Sequence, residues 1–335
     1  MTMPGNRCVP TLQKTYDMLK ASIAVLFQAM MTLYASGEQL YLNARSGNDA
    51  NAGTKEQPLK TIGEAARRIN ADDKAGATTV VLSEGVYPLM ETALFRNDKY
   101  TAKDRLVIRA EILPDDTGWT PQHMPVIVTV APMTFTPSDG EEARGLEIEA
   151  SHVTIEGLRF SGSPVYYYID GKQNRRYYPI WRDGKALDDL LVTQCLFAGD
   201  VDVLPIRVAV IANGHGLVLD HCVFYHCQNP VVFWEAEGGE SHGNAMRNCL
   251  VYGCYYSGVW TTKSTGDDFE FHHNIIAGSN TGWISEGTHH YQQHDCIFMQ
   301  TTGTIEIEKD QGKNNYLQLK KGSPGVDLKA GLFRE

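Results

Sequence analysis

The chain has 335 residues, long enough for one large domain or two ordinary ones, and its 42% hydrophobic and 21% charged residues supply a core and exclude a disordered chain. Forty acidic against 30 basic residues leave a net charge of −10, which excludes a general nucleic-acid binder, though not a local basic cleft. Thirty-one glycines and 16 tyrosines suit a turn-rich β protein with aromatic surfaces.

The first element is MLKASIAVLFQAMMTLYASG, residues 18–37. A lysine near its front precedes a mostly apolar stretch, and Ala35 and Gly37 stand before Glu38. This is the pattern of a secretory signal peptide. The apolar stretch is too short and too interrupted to span a bilayer. The expectation is a leader over 1–37, with export to the periplasm or the cell exterior; a buried N-terminal helix is the alternative. No later apolar run is long enough for a membrane helix.

Residues 40–87 predict a strand, a loop rich in Gly, Asn and Asp, a short helix and a second strand. Thr61 and Glu64 carry a capping-box signature. Ile62, Ala65, Ala66 and Ile69 form one apolar stripe. Residues 88–145 read as an early coil with an insertion. Residues 163–189, dense in Tyr and Arg, read as a long insertion that overhangs a groove.

From 145 to 310 one frame returns. LLVTQCLF, LVLDHCVF, NAMRNCLV, FEFHHNII and YQQHDCIF place Cys195, Cys222, Cys249, Asn274 and Cys296 in one slot, and VTIEGLRF places Gly157 there. The first three cysteines are 27 residues apart, as are Cys227 and Cys254. A period in the twenties, in short β-rich segments punctuated by Gly, Asn and Asp, predicts coils of a β-helix. Equivalent residues then stack at about 4.8 Å and form ladders, with Leu219, Phe224, Val251, Ile276 and Phe298 inside the tube. Stacked cysteines keep their Cβ atoms near that spacing, beyond the ~3.8 Å a disulfide prefers, so free buried thiols are expected. The segment 311–335 reads as a final strand and a turn-rich tail.

The stretch SGNDANAGTKEQPLKTIGEAARRI, followed by VVLSEGVY, resembles the opening of secreted right-handed parallel β-helix proteins of the pectate-lyase-like superfamily. That group includes polysaccharide lyases, glycoside hydrolases and proteins without assigned activity. The resemblance implies one all-β domain over 38–335. It would be a right-handed parallel β-helix with a short capping helix. It further implies a poly- or oligosaccharide partner bound along one outer sheet of a monomer.

On the 27-residue offset, Phe233 stacks on Trp260, with Trp283 one coil on. This gives an aromatic row suited to sugar faces, or else a core row. Polar groups follow that strand on successive coils: Glu235, His242, Lys263, Asp267, Asp268 and Glu286. Arg207 and Arg182 supply cations. A lyase on a uronic-acid glycan must neutralise the carboxylate, for which Arg207 or Arg182 serves. It must also remove a proton, for which Lys263 or His242 serves. In similar lyases calcium does the neutralising, and Asp267 and Asp268 would hold it through oxygen. A glycoside hydrolase would instead draw two carboxylates from Glu235, Asp267, Asp268 and Glu286. The lyase is the leading expectation, the hydrolase the next, and a non-catalytic glycan-binding or scaffold β-helix the third. A zinc site from His221, His226, His272 and His273 is a minor expectation.

Overall fold

The computed structural model describes residues 37–334 apart from 75, 131–133, 137–139, 163–174, 185, 204, 235–238 and 289; nearly all of the expected leader lies outside them. The recurrent frame winds into a right-handed parallel β-helix of three sheets. Sheet A runs through nine strands, from Glu38–Leu42 to Gln293–His294. Sheet B runs from Val86–Leu89 to Ile297–Met299. Sheet C runs from Ala93–Phe95 to Thr281–Ser285, and only Thr134–Thr136 joins it antiparallel. No helix among the described residues is long and apolar enough to cross a membrane.

Parallel stacking turns the repeat into ladders. Phe160, Phe197 and Phe224 stack with centroids 4.9 and 5.0 Å apart and nearly parallel rings. Val251, Ile276 and Phe298 continue that line through sheet B. Leu219 belongs to the inner line of sheet A, between Val192 and Met246. Alternate residues share a face, so one apolar residue in two fills the tube.

Between sheets A and B the chain reverses through one left-handed residue per coil: Gly157, Gln194, His221, Asn248, His273 and Asp295, all with φ between 50° and 71°. Gly157 therefore aligns with Gln194, and Leu158 takes the slot of Cys195. This corrects the expected alignment by one position, because the glycine is needed where φ is positive. Cys195, Cys222, Cys249 and Asn274 are fully buried in the next position, and the six described cysteines are free. Asn274 receives the Cys249 N–H at 3.0 Å and donates to the Met246 carbonyl at 2.7 Å.

Helix α1, Ile62–Ala71, buries Ile62, Ala65, Ala66 and Ile69 against the first coil. Thr61 accepts the Glu64 N–H at 3.2 Å, but Glu64 turns to Arg67 and Arg68 instead of closing the capping box. Asp49 takes the Thr61 N–H in its place, at 2.9 Å. Residues 88–145 hold one full early coil. Of the long segment 163–189, Arg175–Arg182 is a strand of sheet C rather than an overhanging loop.

The C-terminal segment folds back along the outside. Leu196, Val223, Leu250 and Ile275 form an aliphatic line on the outer face of sheet B, and Ile305, Ile307, Tyr316, Leu317 and Leu332 cover it. The Gln194 amide donates to the Leu332 carbonyl at 2.7 Å, and Arg334 bonds Glu156 at 2.9 Å.

Candidate functional site

Strand parity on sheet C decides which side chains face out. Cys227 and Cys254 keep the 27-residue offset, but one residue separates Cys227 from Asn229 and two separate Cys254 from Ser257. From that turn onward the offset is 28: Val232 pairs Trp260, and Phe233 pairs Thr261. The expected aromatic row is therefore corrected. Phe233 points inward and is 2% exposed. Trp283 pairs Val259, also faces inward, and closes the last coil against Phe271 at 4.5 Å. Only Trp260 of the three faces outward, beside Tyr256. It pairs with Val232, and two residues beyond Val232 Trp234 leaves the strand on the same face, 45% exposed. Trp234 escaped the sequence reading, although alternation from the buried Phe233 points to it.

The first residues after sheet C form a row on successive coils. Asp183, Asn213, Trp234, Thr262 and Glu286 follow one another, as the Asn213, Trp234 and Glu286 N–H bonds to the preceding coil show. Asn213 donates to Asp183 at 2.7 Å. Trp260 Nε1 donates to Glu286 Oε1 at 3.0 Å, tying an expected carboxylate to an expected aromatic. Lys263 is exposed in the next turn.

The corner from sheet C to sheet A carries the imidazoles. His215 and His242 stack at 6.1 Å, and the His242 N–H donates to His215 Nδ1 at 3.1 Å. His242 Nδ1 meets Asp268 Oδ1 at 3.2 Å, while Asp268 Oδ2 accepts the Gly243 N–H at 2.9 Å. Burial raises the Asp268 pKa, but the Gly243 N–H and His242 outweigh it, so the carboxyl sits below its usual range and stays ionised. Asp267 and Asp268 begin a groove of about 670 Å³ that continues past Glu270 and His272 to His290 and His294.

Two expected cations stand elsewhere. Arg182 pairs Ala212 on the inner face of sheet C and is 2% exposed, because it shares parity with the buried Ile180. Its Nε donates to the Asn213 carbonyl at 2.7 Å, and burial pulls its pKa down to about 10. Arg207 enters the opposite edge of sheet C, so the strand Val208–Ala212 holds it about 20 Å from the His242 corner. It lies there with Arg176 beside Tyr178, whose pKa burial raises against both guanidinium groups. On the same outer face Arg144 stacks on Trp181 at 4.0 Å and pairs with Glu142 and Glu147 at 2.8 and 2.5 Å. The sequence reading missed this set as well. Glu235 lies outside the described residues.

The structure thus joins His242 with Asp268, and Trp260 with Glu286. It keeps Lys263 and Asp267 in the turn and groove beside them. Among the described residues one group of three His, Cys, Asp or Glu ligand atoms lies within 4.8 Å, and it is His273, His294 and Asp295, not Asp267 and Asp268.

A search of known protein families finds none that matches the sequence, and no curated protein matches it. Among solved structures, a rhamnogalacturonan lyase superposes with a TM-score of 0.51 at 14% identity, over 78% of this chain and 62% of that one. A GH136 lacto-N-biosidase from Eubacterium ramulus superposes with a TM-score of 0.50 at 11% identity, over 84% of this chain and 55% of that one. The chain therefore spans under two thirds of the length of either. At these identities the likeness establishes the parallel β-helix fold alone.

Proposed function

We propose that the chain is a glycan-cleaving enzyme acting at the exit edge of sheet C, by β-elimination on a uronic-acid glycan, with His242 as the base. One observation carries this reading: Asp268, ionised and held by the Gly243 N–H, accepts from His242 Nδ1 on an exposed corner. Donation from Nδ1 leaves the Nε2 lone pair outward, with the Glu240 carboxylate 4.0 Å away. An imidazole so oriented is placed to take a proton from a bound sugar. Trp234 and Trp260 offer aromatic surface to sugar C–H faces one step from that corner. Lys263, exposed in the adjoining turn, is assigned the neutralising of the sugar carboxylate. Glycan-acting proteins on the same fold, a lyase and a lacto-N-biosidase by name, support the substrate class. The expected leader fits an enzyme that meets its glycan outside the cytoplasm.

The test is a panel of uronic-acid polymers followed by ultraviolet absorbance of the unsaturated product. The reading expects product from the native chain, a loss of about 10²–10⁴ in rate for His242→Asn, and a marked loss for Lys263→Ala, with circular dichroism unchanged. Reducing ends on neutral glycans without ultraviolet product would replace it with a hydrolase. Glycan binding with neither product would replace it with a scaffold.

A further inference from the structure

The corner between sheets A and B, away from His242, holds a second set of imidazoles. His272 ends the strand Glu270–His272, and His294 ends Gln293–His294 one coil on; their rings stack at 4.9 Å. The left-handed residues that follow them are His273 and Asp295, with φ of 54° and 52°. That backbone turns both side chains back toward the same spot. His294 Nδ1 lies 2.9 Å from Asp295 Oδ2, and His273 Nε2 lies 3.9 Å from the same oxygen. Ligand atoms at ~2.1 Å from a tetrahedral ion stand about 3.4 Å apart, so these two separations bracket what an ion needs.

A fourth residue sets the proton. His273 Nδ1 is 2.8 Å from His272 Nδ1, a distance that requires one ring to donate and the other to accept. With His273 donating, its Nε2 presents a lone pair toward Asp295. Metal-binding histidines are commonly oriented in this way, through a hydrogen bond from the other ring nitrogen.

We propose that His273, His294 and Asp295 form a binding site for a divalent transition-metal ion of the zinc class, with His272 as a positioning residue. Two imidazoles and one carboxylate suit zinc, cobalt, nickel or iron(II) rather than calcium, whose ligands are oxygens. The site offers three protein ligands, which leaves a coordination position open. His272 and His294 also line the groove that begins at Asp268, so a bound ion would stand at the far end of that groove. This assignment does not rest on the glycan reading.

The test uses protein without a histidine tag, stripped with a chelator and titrated with Co²⁺ under visible absorption, then with Zn²⁺ as competitor. The expected result is one saturating equivalent of Co²⁺ with d–d bands, displaced by Zn²⁺. His273→Asn and Asp295→Asn should each weaken binding by about 100-fold, and His272→Gln by about 10-fold or more. Asn is chosen because Asn248 holds the same left-handed position one coil earlier, which preserves the turn. His226→Asn, at another corner, should bind as tightly as the unsubstituted chain. No stoichiometric binding, or binding undiminished in both His273→Asn and Asp295→Asn with native circular dichroism, overturns the site. Unchanged affinity in His272→Gln overturns its positioning role.

Discussion

Asp220 shows how one turn residue is held by its neighbours on the stack. Burial raises its pKa, yet His221 at 2.8 Å and Asn248 at 2.9 Å outweigh burial and, with Arg247, bring it from 3.8 to about 2. The folded value lies below the unfolded one, so the stability it gives is complete above about pH 4 and fades as pH falls toward 2. Asp220→Asn should cost about 2 kcal/mol at pH 7 and little near pH 2, read from urea unfolding at both pH values. The cysteines make a second prediction at this scale. Cys195, Cys222, Cys227, Cys249 and Cys254 are buried, and burial pushes the Cys195, Cys227 and Cys249 thiols well up, whereas Cys296 is half-buried. Alkylation of native protein mapped by mass spectrometry should modify Cys296 first among these six and leave the other five until denaturant is added. Equal labelling of all six would show that the ladder is open. The recurrence of cysteine was legible in the sequence because stacking repeats an environment. The residue that bends the chain was misplaced by one at Gly157, since only the backbone shows where φ turns positive.

At the scale of elements, helix α1 and the C-terminal segment are both covers for surfaces that the coils leave apolar. Thr61→Ala removes the N-cap and its bond to Asp49, and should cost about 1 kcal/mol in thermal or urea unfolding. Deleting 305–335 should uncover Leu196, Val223, Leu250 and Ile275 and raise binding of a hydrophobic dye, while far-ultraviolet dichroism still reports the coils. A truncated chain that binds no more dye than the full one would show that the segment does not cover sheet B. The helix could be read from its apolar stripe and cap. The course of 305–334 could not, because a covering segment follows the outer face it meets and has no period of its own. The strand Arg175–Arg182 was likewise hidden within a Tyr- and Arg-rich stretch that looks like a loop by composition.

At the scale of the molecule, coils of unequal length explain what sequence offset could and could not place. His242 and Asp268 meet because they lie one coil apart at the same corner, and the period anticipated that kind of meeting. The aromatic row failed because a single extra residue between Cys254 and Ser257 moves every following side chain to the other face of sheet C. Within their own strands, alternation sets the rest: Phe233 and Arg182 share the inner face of sheet C, and Trp234, the next residue after Phe233, stands outside. Arg207 keeps its place on the sheet but stands a strand's length from the corner it was expected to serve.

The most direct measurement is a crystal structure of the His242→Asn variant bound to the uronic-acid oligosaccharide that the native chain cleaves. The account predicts a sugar ring against Trp234 or Trp260, its acidic carbon within hydrogen-bond reach of position 242, and its carboxylate toward Lys263. An oligosaccharide bound on another face of the tube, with the corner of His242 and Asp268 bare, would contradict it.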